Sequence, residues 1–170
     1  MNNAHRIVLQ LSSNGQGEQD GVEPQPMPVA DLIGAITANV YFLLIIAVFT
    51  ARIVGRRELG HWLGLVSILV VIPLIYVLIV GLHTDRSLIY FVWLGLMILF
   101  LFIELMVDYI HKLDFRGVRW AVISYVTLFF AATGGMIGLA AQAGKWWGAT
   151  AFTFLVMATM AFVQRAKTGL

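Results

Sequence analysis

The sequence predicts an all-α polytopic membrane protein, a bundle of five transmembrane helices preceded by a disordered N-terminal tail. Three observations carry that expectation. Of 170 residues, 60% are hydrophobic and only 12% charged, whereas soluble domains hold roughly 25% charged residues. After the tail the chain divides into five apolar stretches. Each is about twenty residues long, which at ~1.5 Å per residue matches a hydrocarbon core of ~30 Å. Lysine and arginine, finally, gather in alternate connections instead of being spread evenly.

Residues 1–30 form the tail. From Ser12 to Glu23 they are polar, glycine-rich and acidic, a composition that buries too little apolar surface to fold alone. Pro24, Pro26 and Pro28 then favour an extended spacer. The run from Ile7 to Leu11 is the one part with strand character, and no apolar core long enough for a cleavable signal peptide is present. The transmembrane domain is expected over 31–170. Asp31 is read as the N-cap of a first helix over 31–54 that stops before Gly55. Further helices are expected near 62–82, 87–111, 118–142 and 145–164, and the short gaps force neighbours to run antiparallel. Pro73 should kink the second helix, because it lacks an amide hydrogen and clashes with the preceding turn. Trp62 and Trp120 mark one membrane face, Trp146 and Trp147 the other.

The basic residues set an orientation. Arg52, Arg56, Arg57, Lys112, Arg116, Arg119, Arg165 and Lys167 lie in the first and third connections and after the last stretch. The tail and the other two connections hold only Arg6, Arg86 and Lys145. Eight against three puts the N-terminus outside and the C-terminus in the cytoplasm of a bacterial-type cytoplasmic membrane. A net charge of +2 gives no reason to expect nucleic acid as a partner. Membrane lipids are the expected surroundings, with a homo-oligomer or a larger membrane complex as the expected protein company. The absence of cysteine removes disulfides, thiolate metal sites and cysteine nucleophiles.

Glu104 and Asp108 are the main functional clue. They stand one turn apart inside the third apolar stretch, where a carboxylate costs on the order of 2.5–3.5 kcal/mol and therefore faces a partner, a cavity or water. At 100° per residue, Arg86, Tyr90, Trp93, Met97, Glu104, Asp108 and His111 share one stripe, opposite Ile98, Leu99, Phe102 and Val107. Asp108 is within easy reach of Arg116 or Arg119, and a structural ion pair is the simpler reading for it. Glu104 lies roughly 12 Å in from the nearer face by helical rise, with no lysine or arginine at its depth in another stretch. Its candidate neighbours are neutral: Asn39, Tyr76, Ser124, Tyr125 and Thr127. Burial without a cation favours the neutral carboxyl, which donates a hydrogen bond.

Other constellations are weaker. His61, Asp108 and His111 offer two imidazoles and a carboxylate at one membrane face, a minimal donor set for a divalent metal. Haem is disfavoured because His83 lies at the opposite face from His61 and His111. In the fourth stretch Gly134 with Gly138, and Ala131 with Gly135, form small-residue ridges that let helices approach closely. No hydrolase elbow or phosphate-cradling loop is present, so an enzyme is not the leading expectation and no cofactor is expected. The leading one is a permeation or small-ligand-binding bundle using Glu104. A non-catalytic subunit of a larger membrane complex is the alternative, ahead of an intramembrane metal enzyme.

Overall fold

The computed structural model describes residues 28–111, 119–144 and 146–168. Five helices are long and apolar enough to cross a membrane: α1 (Val29–Ile53), α2 (Arg57–Leu82), α3 (Leu88–Ile110), α4 (Arg119–Ala141) and α5 (Trp146–Thr168). No strand occurs among the described residues. Of the expectations above, the tail up to residue 27 lies outside the described residues, as do Arg6, Lys112, Arg116 and Lys145 and helix starts at 118 and 145.

Each boundary has a local cause. The first helix begins at Val29 behind Pro28, so Asp31 sits inside the first turn and is not its N-cap. Proline suits that place because the first helical amides lack intrahelical partners anyway. The helix ends in a Schellman turn: Arg56 N–H donates to Ala51 O at 2.9 Å and Gly55 N–H to Arg52 O at 3.1 Å. Gly55 holds φ at +82° there, a left-handed value that suits glycine. The next helix then restarts at Arg57, five residues earlier than the apolar pattern suggests, so its first turns carry Arg57, Glu58 and His61. The polar residues hide that start from a hydropathy reading.

Within α2, helical bonding gives way at Leu69 and Val70, between Arg57–Ile68 and Val71–Leu82. The break falls where Pro73 dictates: its missing N–H and its ring both act on the carbonyl four residues back, at Leu69. Tighter bonds fill in, with Val70 N–H donating to Ser67 O and Ile72 N–H to Leu69 O. A second irregularity lies in α3, which is α-helical over Leu88–Glu104 and π-helical over Leu105–Ile110. There His111 N–H donates five residues back, to Met106 O, at 2.8 Å.

The chain runs up and down, so the starts of α1, α3 and α5 share one end of the bundle, here the tail face. The ends of those helices share the other with Arg52, Arg56, Arg57 and Arg119, here the basic face. Helix α1 is the hub. It packs against α2, α4 and α5, whereas α3 packs chiefly against α2 and α4. Small residues let α1 take this place, since lipid offers no hydrophobic drive and close contact must supply the attraction. Gly34 abuts Leu139, and Ala35 joins Ala140 and Ala143. Outward faces are apolar, with Leu43, Phe152, Leu155 and Phe162 more than half exposed, the surface that a hydrocarbon solvent requires.

Candidate functional site

Polar side chains inside the bundle fall into separate groups. At the tail face, Arg86 Nη2 stands 2.9 Å from both carboxylate oxygens of Asp31. Asp31 is 2% exposed, and the guanidinium also lies over the Tyr90 ring, 5.3 Å from its centroid. The start of α3 is thereby tied to the start of α1. Deeper along α1, Asn39 turns to α5: its Nδ2 donates to Thr150 Oγ1 at 2.8 Å and its Oδ1 accepts from Thr153 Oγ1 at 3.2 Å. Asn39 therefore clamps two helices. Tyr76, half-exposed on α2, faces outward.

The third group surrounds Glu104 in the basic-face half. Its Oε2 is buried and has no hydrogen-bond partner among the described residues. Within electrostatic reach are Tyr41 and Arg52 from α1, Asp108 and Tyr109 from α3, and Tyr125 from α4. Arg52 is the residue that depth counting along the sequence missed. It sits in the last turn of α1, and a long side chain on a last turn can reach back toward a carboxylate more than a turn deeper. Tyr41 is fully buried, and its hydroxyl also lacks a hydrogen-bond partner among the described residues.

Helix α2 supplies the floor beside this group. Gly60 leaves room for Arg52, whose Cγ would lie 3.3 Å from any Cβ there, and Gly64 stands directly against the Tyr109 hydroxyl. That hydroxyl donates to His61 O at 3.0 Å, and the Tyr109 and His61 rings stack with centroids 4.8 Å apart. Tyr109 belongs to the π-helical turn, which re-aims side chains relative to a 100° wheel. Such turns are often found at functional positions.

For the remaining expected residues the geometry is plain. Asp108 makes no ion pair with Arg119 among the described residues, and Arg116 lies outside them. No group of three histidine, aspartate or glutamate side chains close enough to hold a metal occurs among the described residues, so His61, Asp108 and His111 are not brought together as a donor set. Tyr90 is buried beneath Arg86 and is remote from Glu104 along α3.

The small residues of α4 are used differently from two parallel ridges. A Cβ on Gly138 would stand 2.6 Å from the Trp93 indole and one on Gly135 3.1 Å, whereas one on Gly134 meets nothing within 4 Å. Ala131 is exposed. The working surface is thus Gly135 and Gly138, and what enters it is the indole of Trp93 from α3. No family model, no curated protein and no solved structure matches this chain.

Proposed function

We propose that this chain is a multi-pass membrane bundle that binds or passes a small ligand or ion at Glu104. One observation carries the reading: a carboxylate oxygen is buried within a membrane-spanning helix and has no hydrogen-bond partner among the described residues. Buried polar atoms are ordinarily satisfied, and an ionisable group inside a membrane span ordinarily serves a path or a site. The tyrosines at 41, 109 and 125 and the guanidinium of Arg52 add hydroxyls and a cation around it. Such a group can bind a proton, a small cation or a small polar molecule. The basic-residue asymmetry favours a cytoplasmic basic face, in a bacterial-type cytoplasmic membrane.

Purified protein in liposomes with a pH-sensitive dye inside tests the reading. Under imposed proton and alkali-cation gradients, wild type is expected to pass or bind one of these species, and Glu104→Gln to lose that property while keeping its thermal stability. Equal behaviour of the two proteins, with neither flux nor binding, would overturn the proposal and favour a non-catalytic subunit of a membrane complex.

A further inference from the structure

Two of the buried oxygens that lack a hydrogen-bond partner among the described residues, Tyr41 Oη and Glu104 Oε2, stand on α1 and α3. Nearer the tail face Tyr90 Oη on α3 is a third, whereas Asp31 Oδ1 on α1 has the Arg86 guanidinium 2.9 Å away. Helix α3 packs chiefly on α2 and α4 and meets α1 through side chains, with Tyr41, Phe42 and Ile45 in one buried cluster with Leu94, Met97 and Leu101. Tyr41 brings a donor and Glu104 an acceptor, each within electrostatic reach of the other. Two complementary orphans in one place call for a group that accepts from one and donates to the other, as water does.

Packing along the seam between α1 and α3 is one-sided. On α3 the residues Tyr90, Leu94, Met97, Phe100 and Leu101 are buried, but none is buried in Leu105–Ile110. By helical rise, Asp31 and Tyr90 lie about 3 Å inside the tail face, Ala38, Leu94 and Met97 about 9–14 Å, Tyr41 about 18 Å and Glu104 about 24 Å. Ala38, Leu94 and Met97 are each 0% exposed. An apolar layer therefore separates Glu104 and Tyr41 from the tail face, with the Asp31–Arg86 pair above it. Toward the basic face the lining is Arg52, Asp108 and Tyr109, all half-buried.

We infer that the seam between α1 and α3 is an inlet through which water and protons reach Glu104 from the basic face alone, closed at the tail face by the Asp31–Arg86 pair over the Ala38, Leu94 and Met97 layer. The inference rests on the reading of Glu104 as a binding site and adds the route and the closure. An inlet of this kind lets Glu104 exchange protons with one compartment, and crossing to the other requires the Asp31–Arg86 pair to part.

The chain contains no cysteine, so Glu104→Cys carries a unique thiol. Sealed vesicles of known orientation are exposed to Ag⁺, a membrane-impermeant ion small enough to follow water, on one side at a time. Protected thiol is counted with a maleimide after solubilisation. Reaction from the basic face is expected at least tenfold faster than from the tail face. Leu94→Cys should be protected from both sides. Adding Asp31→Asn and Leu94→Ala to Glu104→Cys, which removes the pair and opens the layer beneath it, should bring tail-face reaction within a few-fold of the basic-face rate. Tyr41→Cys repeats the test should the first variant fold poorly. Equal reaction from both faces without Asp31→Asn and Leu94→Ala, or no reaction from the basic face, would overturn the inlet. Labelling reads access and the liposome assay reads function, so either can fail while the other stands.

Discussion

In the tail-face half of the bundle, Asp31 is held between two 2.9 Å contacts to Arg86, Gly34 meets Leu139, and Gly135 and Gly138 admit the Trp93 indole. In the basic-face half, Glu104 keeps a buried oxygen without a hydrogen-bond partner, the helix carrying it widens to π geometry, and no residue of Leu105–Ile110 is buried. Both halves place a carboxylate inside a span. The difference lies in what surrounds it. A paired charge and interlocked small residues mark one end, and a carboxyl with one oxygen lacking a hydrogen-bond partner among the described residues marks the other. Under the proposal above, stability and binding are separated along the same two helices, α1 and α3.

This contrast can be broken most forcefully at Arg86. Arg86→Ala strands a nearly fully buried Asp31 and should cost about 3 kcal/mol, the range seen when one partner of a buried pair is removed. The double variant Arg86→Gln with Asp31→Asn should recover much of that in thermal unfolding in detergent. A loss no larger than that of an exposed arginine would remove the paired end from the picture. Gly138→Leu drives a side chain into the Trp93 indole and should cost roughly 1–3 kcal/mol by overpacking. Gly134→Leu, pointing into open space, should leave the melting curve in place. Matching effects at the two glycines would mean that the α4 ridge serves an intermolecular contact instead.

Smaller effects sharpen the comparison. Tyr109→Phe removes the hydrogen bond to His61 O and should cost about 1 kcal/mol, seen as faster amide exchange at the basic-face end of α3. If exchange accelerates at the tail-face end instead, the two halves are not independent. The least stability change is expected for Glu104→Gln, which keeps the shape of a side chain with an oxygen already unpaired. A large destabilisation there would make Glu104 a structural group and end its assignment to chemistry.

Much of this architecture was legible from residues alone. Spans of the right length, the break ahead of Pro73 and the glycine turn at Gly55 each follow from a local rule that acts wherever such residues occur. Glu104 was legible as a site candidate for the same reason, as charge in lipid demands an explanation. Its surroundings were not. A π-helical turn has no sequence mark, and over Leu105–Ile110 its register departs from the 100° wheel on which the stripe was drawn. Arg52 was counted with a connection because it sits at the edge of its helix, and only the fold shows its side chain turned inward. Small residues announce a groove without naming the occupant, so the indole of Trp93 could not be foreseen against Gly135 and Gly138. Asn39 was placed beside Glu104 by depth, while its direction around the helix sent it to α5.

The clamp between Asn39 and the threonines of α5 also bears on how the chain is made. Asn39 precedes Thr150 by 111 residues and Thr153 by 114, so the hub of the bundle leaves the ribosome long before the partners of its amide exist. Until the last span enters the bilayer, the Asn39 amide can satisfy itself only through its own helix, as it does at Ala35 O, or through a chaperone or neighbouring protein. Helix α5, the least buried of the five, is then less a wall than a final stitch. A nascent chain halted before Thr150 would leave the Asn39 amide with Ala35 O as its partner, and its second amide hydrogen and its oxygen without the two threonines.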